Sequence, residues 1–133
     1  MNLKRIVAGT LLYLLITFPL AYSWHLVLFK QTYDELGYIE RDEPIIAFGF
    51  LAILLQGILL SVLYPLICSG KSVLGGAVKF LLLAGGYHWT THVLAAAAKQ
   101  EIEPLSTWFA LETLYLTIQF SLGGLMLAFL YRK

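Results

Sequence analysis

The chain has 133 residues, of which 59% are hydrophobic and 13% charged, with a net charge of +1 and a mean hydropathy of +0.78. A soluble domain this small needs about 25% charged residues to cover its large surface fraction, so a water-solvated fold is excluded and one domain in lipid, residues 1–133, is expected. The near-neutral charge, with no basic run interleaved with aromatics, excludes nucleic acid as a partner, and Cys68, the single cysteine, allows neither an intrachain disulfide nor a Cys-based metal motif.

A membrane-spanning helix needs about 20 mostly apolar residues. The first such run covers about residues 6–29. Lys4 and Arg5 precede it, and Ala21-Tyr22-Ser23 resembles a signal-cleavage site. The run nevertheless continues through Trp24-His25-Leu26-Val27-Leu28-Phe29, long enough to span, so an uncleaved helix is expected. Pro19 inside it predicts a kink. The linker 30–44 is hydrophilic and reads most simply as a solvated loop; the alternative is a cation-attracting mouth built by its acids. The second run covers about 45–67, opening after Pro44, with Pro65 near its end. After a short linker, 68–72, the third covers about 73–98. The linker 99–104 ends at Pro104, which opens the fourth run, about 105–131. Proline fits the first turn because its missing N–H has no helical partner there. The apolar runs are continuous rather than alternating, which excludes a β-barrel. The expected fold is an all-α integral membrane protein with four transmembrane helices in an antiparallel up-down bundle.

Lysine and arginine near span ends concentrate on the cytoplasmic side. Lys4, Arg5, Lys71, Lys79, Arg132 and Lys133 fall on one side of the expected bundle, and Lys30, Arg41 and Lys99 on the other. Asp34, Glu35, Glu40, Asp42, Glu43, Glu101 and Glu103 all fall in the two linkers of the second side. Both termini are therefore expected in the cytoplasm, with the chain in a bacterial inner membrane. Lys79, nine residues before His88, is expected on roughly the opposite helix face, snorkelling to the interface.

Membrane helices associate where small residues let backbones approach. Gly57 and Ser61, Gly75-Gly76, Gly85-Gly86, Ala95 to Ala98 and Gly123-Gly124 supply such faces. They read as packing within the bundle, or as a face for a homodimer or a larger membrane complex. Trp24, Trp89, Trp108, Tyr33 and Tyr38 lie toward the outer side, as interfacial aromatics do.

Ionisable and polar residues inside a membrane are unfavourable and mark functional positions. They are His25, Gln56, His88, His92, Glu112 and Gln119. Counted from the outer span ends at 1.5 Å per residue, the three histidines and Glu112 all lie roughly 6–15 Å deep. Gln56 and Gln119 fall just beneath, near the midplane. His88 and His92 are four apart and share a helix face. Trp108, Glu112, Tyr115 and Gln119 form one stripe, which should point into the bundle.

Three readings of this cluster follow. His25, His88, His92 and Glu112 could complete the shell of a transition metal, for which Zn, Cu or Fe suit imidazole and carboxylate. The pair reads His88-Trp89-Thr90-Thr91-His92, without the intervening glutamate of the zinc-protease motif. Alternatively the cluster binds a small organic ligand such as a quinone, sterol or lipid headgroup, with Trp89, Trp108 and Tyr115 lining the pocket and proton transfer available between Glu112 and a histidine. In the third reading the residues only hydrogen-bond across helices and fix their register. The expected function is accordingly a membrane protein with a His/Glu/Trp-lined site for a small organic ligand or metal. The alternatives are a non-catalytic accessory subunit of a larger membrane complex and a small transporter acting as a dimer.

Two four-helix membrane families of similar size are excluded by their residues. The small multidrug exporters carry a carboxylate in the first helix, where this chain has none. Glutathione-linked membrane enzymes use an Arg- and Asn-containing motif; the only asparagine here is Asn2, and no arginine lies within a span.

Overall fold

The computed structural model describes residues 2–39, 41–68 and 70–132. Glu40 and Lys133, which enter the charge pattern above, lie outside the described residues. Among those residues the secondary structure is entirely helical, with no strand. Three helices are long and apolar enough to cross a membrane: Leu3–Leu28, Ile46–Cys68 and Leu105–Tyr131.

The first of these, α1, is regular over Leu3–Ser23 and ends in a π-helical turn, Trp24–Leu28. The Asn2 side chain caps its start by accepting from the Arg5 N–H, which satisfies one of the free donors of the first turn. Pro19 lies within α1 without ending it. The linker that reads as a solvated loop is only partly so. It forms a short helix, α2 (Lys30–Glu35), whose Tyr33 is buried, and Leu36 just after it is buried as well. Tyr33 and Leu36 are three apart and turn one apolar edge inward, while Lys30, Asp34 and Glu35 stay exposed. Helix α3 (Ile46–Cys68) starts two residues after Pro44 and contains Pro65.

Residues 73–97 form a single helical run, α4, but not a regular one. It is α-helical over Val73–Phe80, π-helical over Leu81–Gly85, α-helical over Gly86–Trp89, π-helical over Thr90–Leu94 and α-helical again over Ala95–Ala97. Ser72 caps its start by accepting from the Gly75 N–H at 3.1 Å. The expected third span therefore exists as a helix with two widened turns. Such turns insert a residue without breaking the backbone ladder, and they recur at functional sites. The last helix, α5 (Leu105–Tyr131), starts directly after Pro104.

Helix α1 packs along α3 and against α5, and the Val73–Phe80 part of α4 packs against α5 and α3. Two glycines set these distances. A methyl group on Gly57 would sit 3.1 Å from the Thr10 carbonyl oxygen, and one on Gly124 would sit 3.0 Å from the Ala77 carbonyl oxygen. Both obstacles are backbone, so neither helix pair could close with a side chain there. At these points the small residues expected to form a packing or docking face are used within the fold. Side chains turned outward are largely apolar, among them Leu15, Phe48, Leu59, Leu66 and Leu82, as helices solvated by lipid require.

Candidate functional site

Glu112 is fully buried on α5 and is the centre of a hydrogen-bond network. Its Oε1 receives the Tyr33 hydroxyl proton and faces His25 Nε2 at 3.2 Å; its Oε2 faces His92 Nε2 at 2.9 Å. Four elements meet there: α1 supplies His25, α2 Tyr33, α4 His92 and α5 the carboxylate. Both histidines sit in π-helical turns, His25 in Trp24–Leu28 and His92 in Thr90–Leu94. The widened turns shift side-chain register and so place the two rings on either side of one carboxylate.

The protons in this network can be counted. His25 Nδ1 lies 3.0 Å from the Ala21 carbonyl oxygen, which only accepts, so Nδ1 carries a hydrogen. The His25–Glu112 contact then holds one proton, either on Nε2 of an imidazolium or on a neutral carboxyl group. Tyr33 is fixed as a donor to Glu112 because its oxygen accepts from Trp24 Nε1–H at 3.0 Å. A carboxylate with two imidazoles and a phenol around it can therefore hold or pass a proton across short distances.

Tyr33 and Tyr38 lie outside the spans, and both phenols are held neutral. Burial is the larger cause and the Glu112 carboxylate the next; together they raise Tyr33 well above the ordinary phenol range and push Tyr38 up to about 12. An unfolded chain releases the Tyr38 proton first, near 10.0. Its stabilising contribution is thus complete below that pH and is lost as pH rises through about 12. A phenolate absorbance titration should show one group fewer titrating in this alkaline range in Tyr38→Phe than in the parent chain. Identical curves would remove this account of Tyr38.

Beside the network lies a cleft of about 450 Å³. His25, His88, His92, Gln56, Gln119 and Tyr115 supply its polar wall, and apolar residues of α1 and α3, such as Phe18, Ile46 and Ile53, supply the rest. The Tyr115 ring meets His25 edge-on, with centroids 4.6 Å apart. Beneath, Gln119 Nε2 donates to the Tyr13 oxygen at 2.7 Å, and the Tyr13 hydroxyl donates to Gln56 Oε1 at 3.4 Å. This chain joins α5, α1 and α3 and leaves the Gln56 amide N–H group available. The His88 ring forms no hydrogen bond among the described residues; it lies 5.5 Å from the rings of His92 and Phe120.

Six of the nine residues expected at the site therefore line one cleft, and Glu112 stands directly behind it. The other two lie elsewhere. Trp108 is fully buried, donates to the Val93 carbonyl at 3.0 Å and packs on Tyr38 at 4.5 Å. Trp89, adjacent to His88 and so on a different face, donates to Thr113 Oγ1 at 2.9 Å. The expected metal shell does not form. Among the described residues no three His, Cys, Asp or Glu side chains are grouped to hold a metal ion. Both Glu112 oxygens are engaged by separate partners, and His88 turns toward Phe120 rather than toward the carboxylate.

Tyr33, Trp24 and Tyr38 are the participants that the depth argument missed. No family model, curated protein or solved structure matches this chain.

Proposed function

We propose that this chain is a four-helix integral membrane protein whose cleft binds a small organic ligand, with the buried carboxylate–imidazole network behind it as a proton reservoir. In this reading α4 is the fourth span. Its helical run is 25 residues long by its bounds, 73–97, which at 1.5 Å per residue is roughly 37 Å and enough to cross. The charge asymmetry supports both termini on the cytoplasmic side of an inner membrane. A reporter fused to the C-terminus is then active only in the cytoplasm, and activity only on the far side would overturn this orientation.

One observation carries the binding reading. All three histidines and both intramembrane glutamines line the same cleft. Ligand pockets are mostly apolar with a few convergent polar groups, and polar side chains at membrane depth are rare without a role. A set of groups that served only helix register would be expected to bond one another fully. Here His88 and the Gln56 N–H group are left over.

The test is native mass spectrometry of the protein released from lipid nanodiscs. A discrete small-molecule adduct should be retained by the parent chain and be absent from His88→Leu. A bare chain mass from the parent under conditions that keep helices folded would overturn the reading.

A further inference from the structure

A second cavity, of about 350 Å³, lies between α3 and α4. Its walls are Leu59, Leu60, Leu63, Leu83 and Ala84, with Phe80 and Phe120 at the floor. It exists because the main contact of α3 with α4 is through Val73–Phe80. Beyond that segment the helices leave a gap. Leu59, Leu63 and Leu83 on its rim are exposed, so the groove opens to the lipid side.

The groove and the polar cleft share two residues, Gln56 and His88. Both keep side-chain hydrogen-bonding capacity that the fold leaves free. A single molecule can therefore lie in both spaces only if it is polar at one end and apolar at the other, with the polar atom at Gln56 and His88. From Gln56 to Ile67 the groove follows α3 for roughly 16 Å at 1.5 Å per residue, which accommodates a decyl chain.

The head group is constrained by charge. The linker 30–44, which reaches the cleft through Tyr38, Ile39 and Pro44, and the linker 99–104 expose Asp34, Glu35, Asp42, Glu43, Glu101 and Glu103 against Lys30, Arg41 and Lys99. This mouth repels anions. A cationic head would find no free carboxylate inside, since Glu112 is covered by His25, His92 and Tyr33. An uncharged oxygen acceptor suits the Gln56 N–H group and a His88 N–H. Resting on the ligand-cleft reading above, we infer that the ligand is a long-chain lipid with an uncharged carbonyl head, held at Gln56 and His88 with its tail in the α3–α4 groove.

Three probes separate the parts of this inference: 2-decyl-1,4-naphthoquinone, 2-methyl-1,4-naphthoquinone with the same head and no tail, and 2-decylnaphthalene with the tail and no carbonyl. Quenching of tryptophan fluorescence in nanodiscs reports binding at equal mole fraction in the bilayer. Trp24 and Trp108 are suited to this, their rings lying 5.8 Å from Tyr115 and His92 of the cleft wall. The decyl quinone should bind roughly 5-fold tighter than the methyl quinone, a modest factor because bilayer tails are as apolar as leucine and only packing discriminates. Leu63→Phe and Ala84→Phe, which fill the groove, should remove that advantage while leaving the methyl quinone unchanged, a control that also reports an intact fold. The decylnaphthalene should bind roughly 10-fold more weakly or not at all.

Equal binding of the two quinones, unaffected by the groove variants, would overturn the tail assignment and leave the cleft reading standing. Equal binding of decylnaphthalene would overturn the carbonyl assignment. Saturable quenching by none of the three would overturn the lipid class altogether, while the adduct test above would still decide whether the cleft takes another ligand.

Discussion

Replacing Glu112 with alanine is expected to destabilise the fold by about 3–5 kcal/mol, the loss typical of removing one partner from a buried charge network. The side chain is fully buried, and its two oxygens serve Tyr33, His25 and His92. Alanine leaves Tyr33, His25 and His92 without their common partner in the protein interior, where each unsatisfied group is unfavourable. The three partners come from α1, α2 and α4, so one substitution loosens three elements held to α5. Glutamine keeps the shape and one acceptor oxygen, and its effect should be smaller, about 1–3 kcal/mol. Thermal unfolding in detergent micelles, followed by far-UV circular dichroism, reads both. Tyr33→Phe tests the same network from its other end, and its effect should fail to add to that of Glu112→Ala because the two share one bond. Parent-like unfolding of Glu112→Ala would mean that the network holds nothing together.

Depth counting alone leaves Glu112 open as a metal ligand, a ligand-site residue or a residue that fixes helix register. The contrast with the network shows what the sequence could and could not convey. Helical rise is fixed, so counting from the span ends was enough to bring His25, His92 and Glu112 to one level. Rotation about the helix axis is less legible. His88 and His92 share a face as their spacing implies, yet only His92 reaches the carboxylate. The π-helical turns at Trp24–Leu28 and Thr90–Leu94 change the register by part of a turn, and a 3.6-residue period contains no trace of them.

The acidic linker hid the other half of the network. Its charges dominate any reading of residues 30–44, but Tyr33 and Leu36 keep helical spacing within it, and that was the available signal. Trp108 illustrates the converse. It lies on the same stripe as Glu112 and Tyr115, but its indole N–H is already committed to Val93. A tryptophan whose donor is satisfied inside the fold is a packing residue, whatever stripe it occupies.

Substituting His88 with leucine should have the opposite signature to Glu112→Ala. His88 is half-buried, its ring lies tilted beside those of His92 and Phe120, and that ring has no hydrogen bond to lose among the described residues. Leucine is apolar and of similar bulk, so the unfolding transition should stay within about 0.5 kcal/mol of the parent. Ligand binding should instead fall about 10- to 100-fold, the factor for removing one hydrogen bond of roughly 1–3 kcal/mol in a low-dielectric site. Adduct retention in native mass spectrometry and naphthoquinone quenching both read this loss. The two substitutions thus divide the polar cluster by function: one carboxylate that assembles four elements, and one imidazole that the assembly leaves facing both cavities. If His88→Leu unfolded as readily as Glu112→Ala, His88 would belong to the structural network. If it bound the quinone as the parent does, the junction of cleft and groove would have no part in recognition.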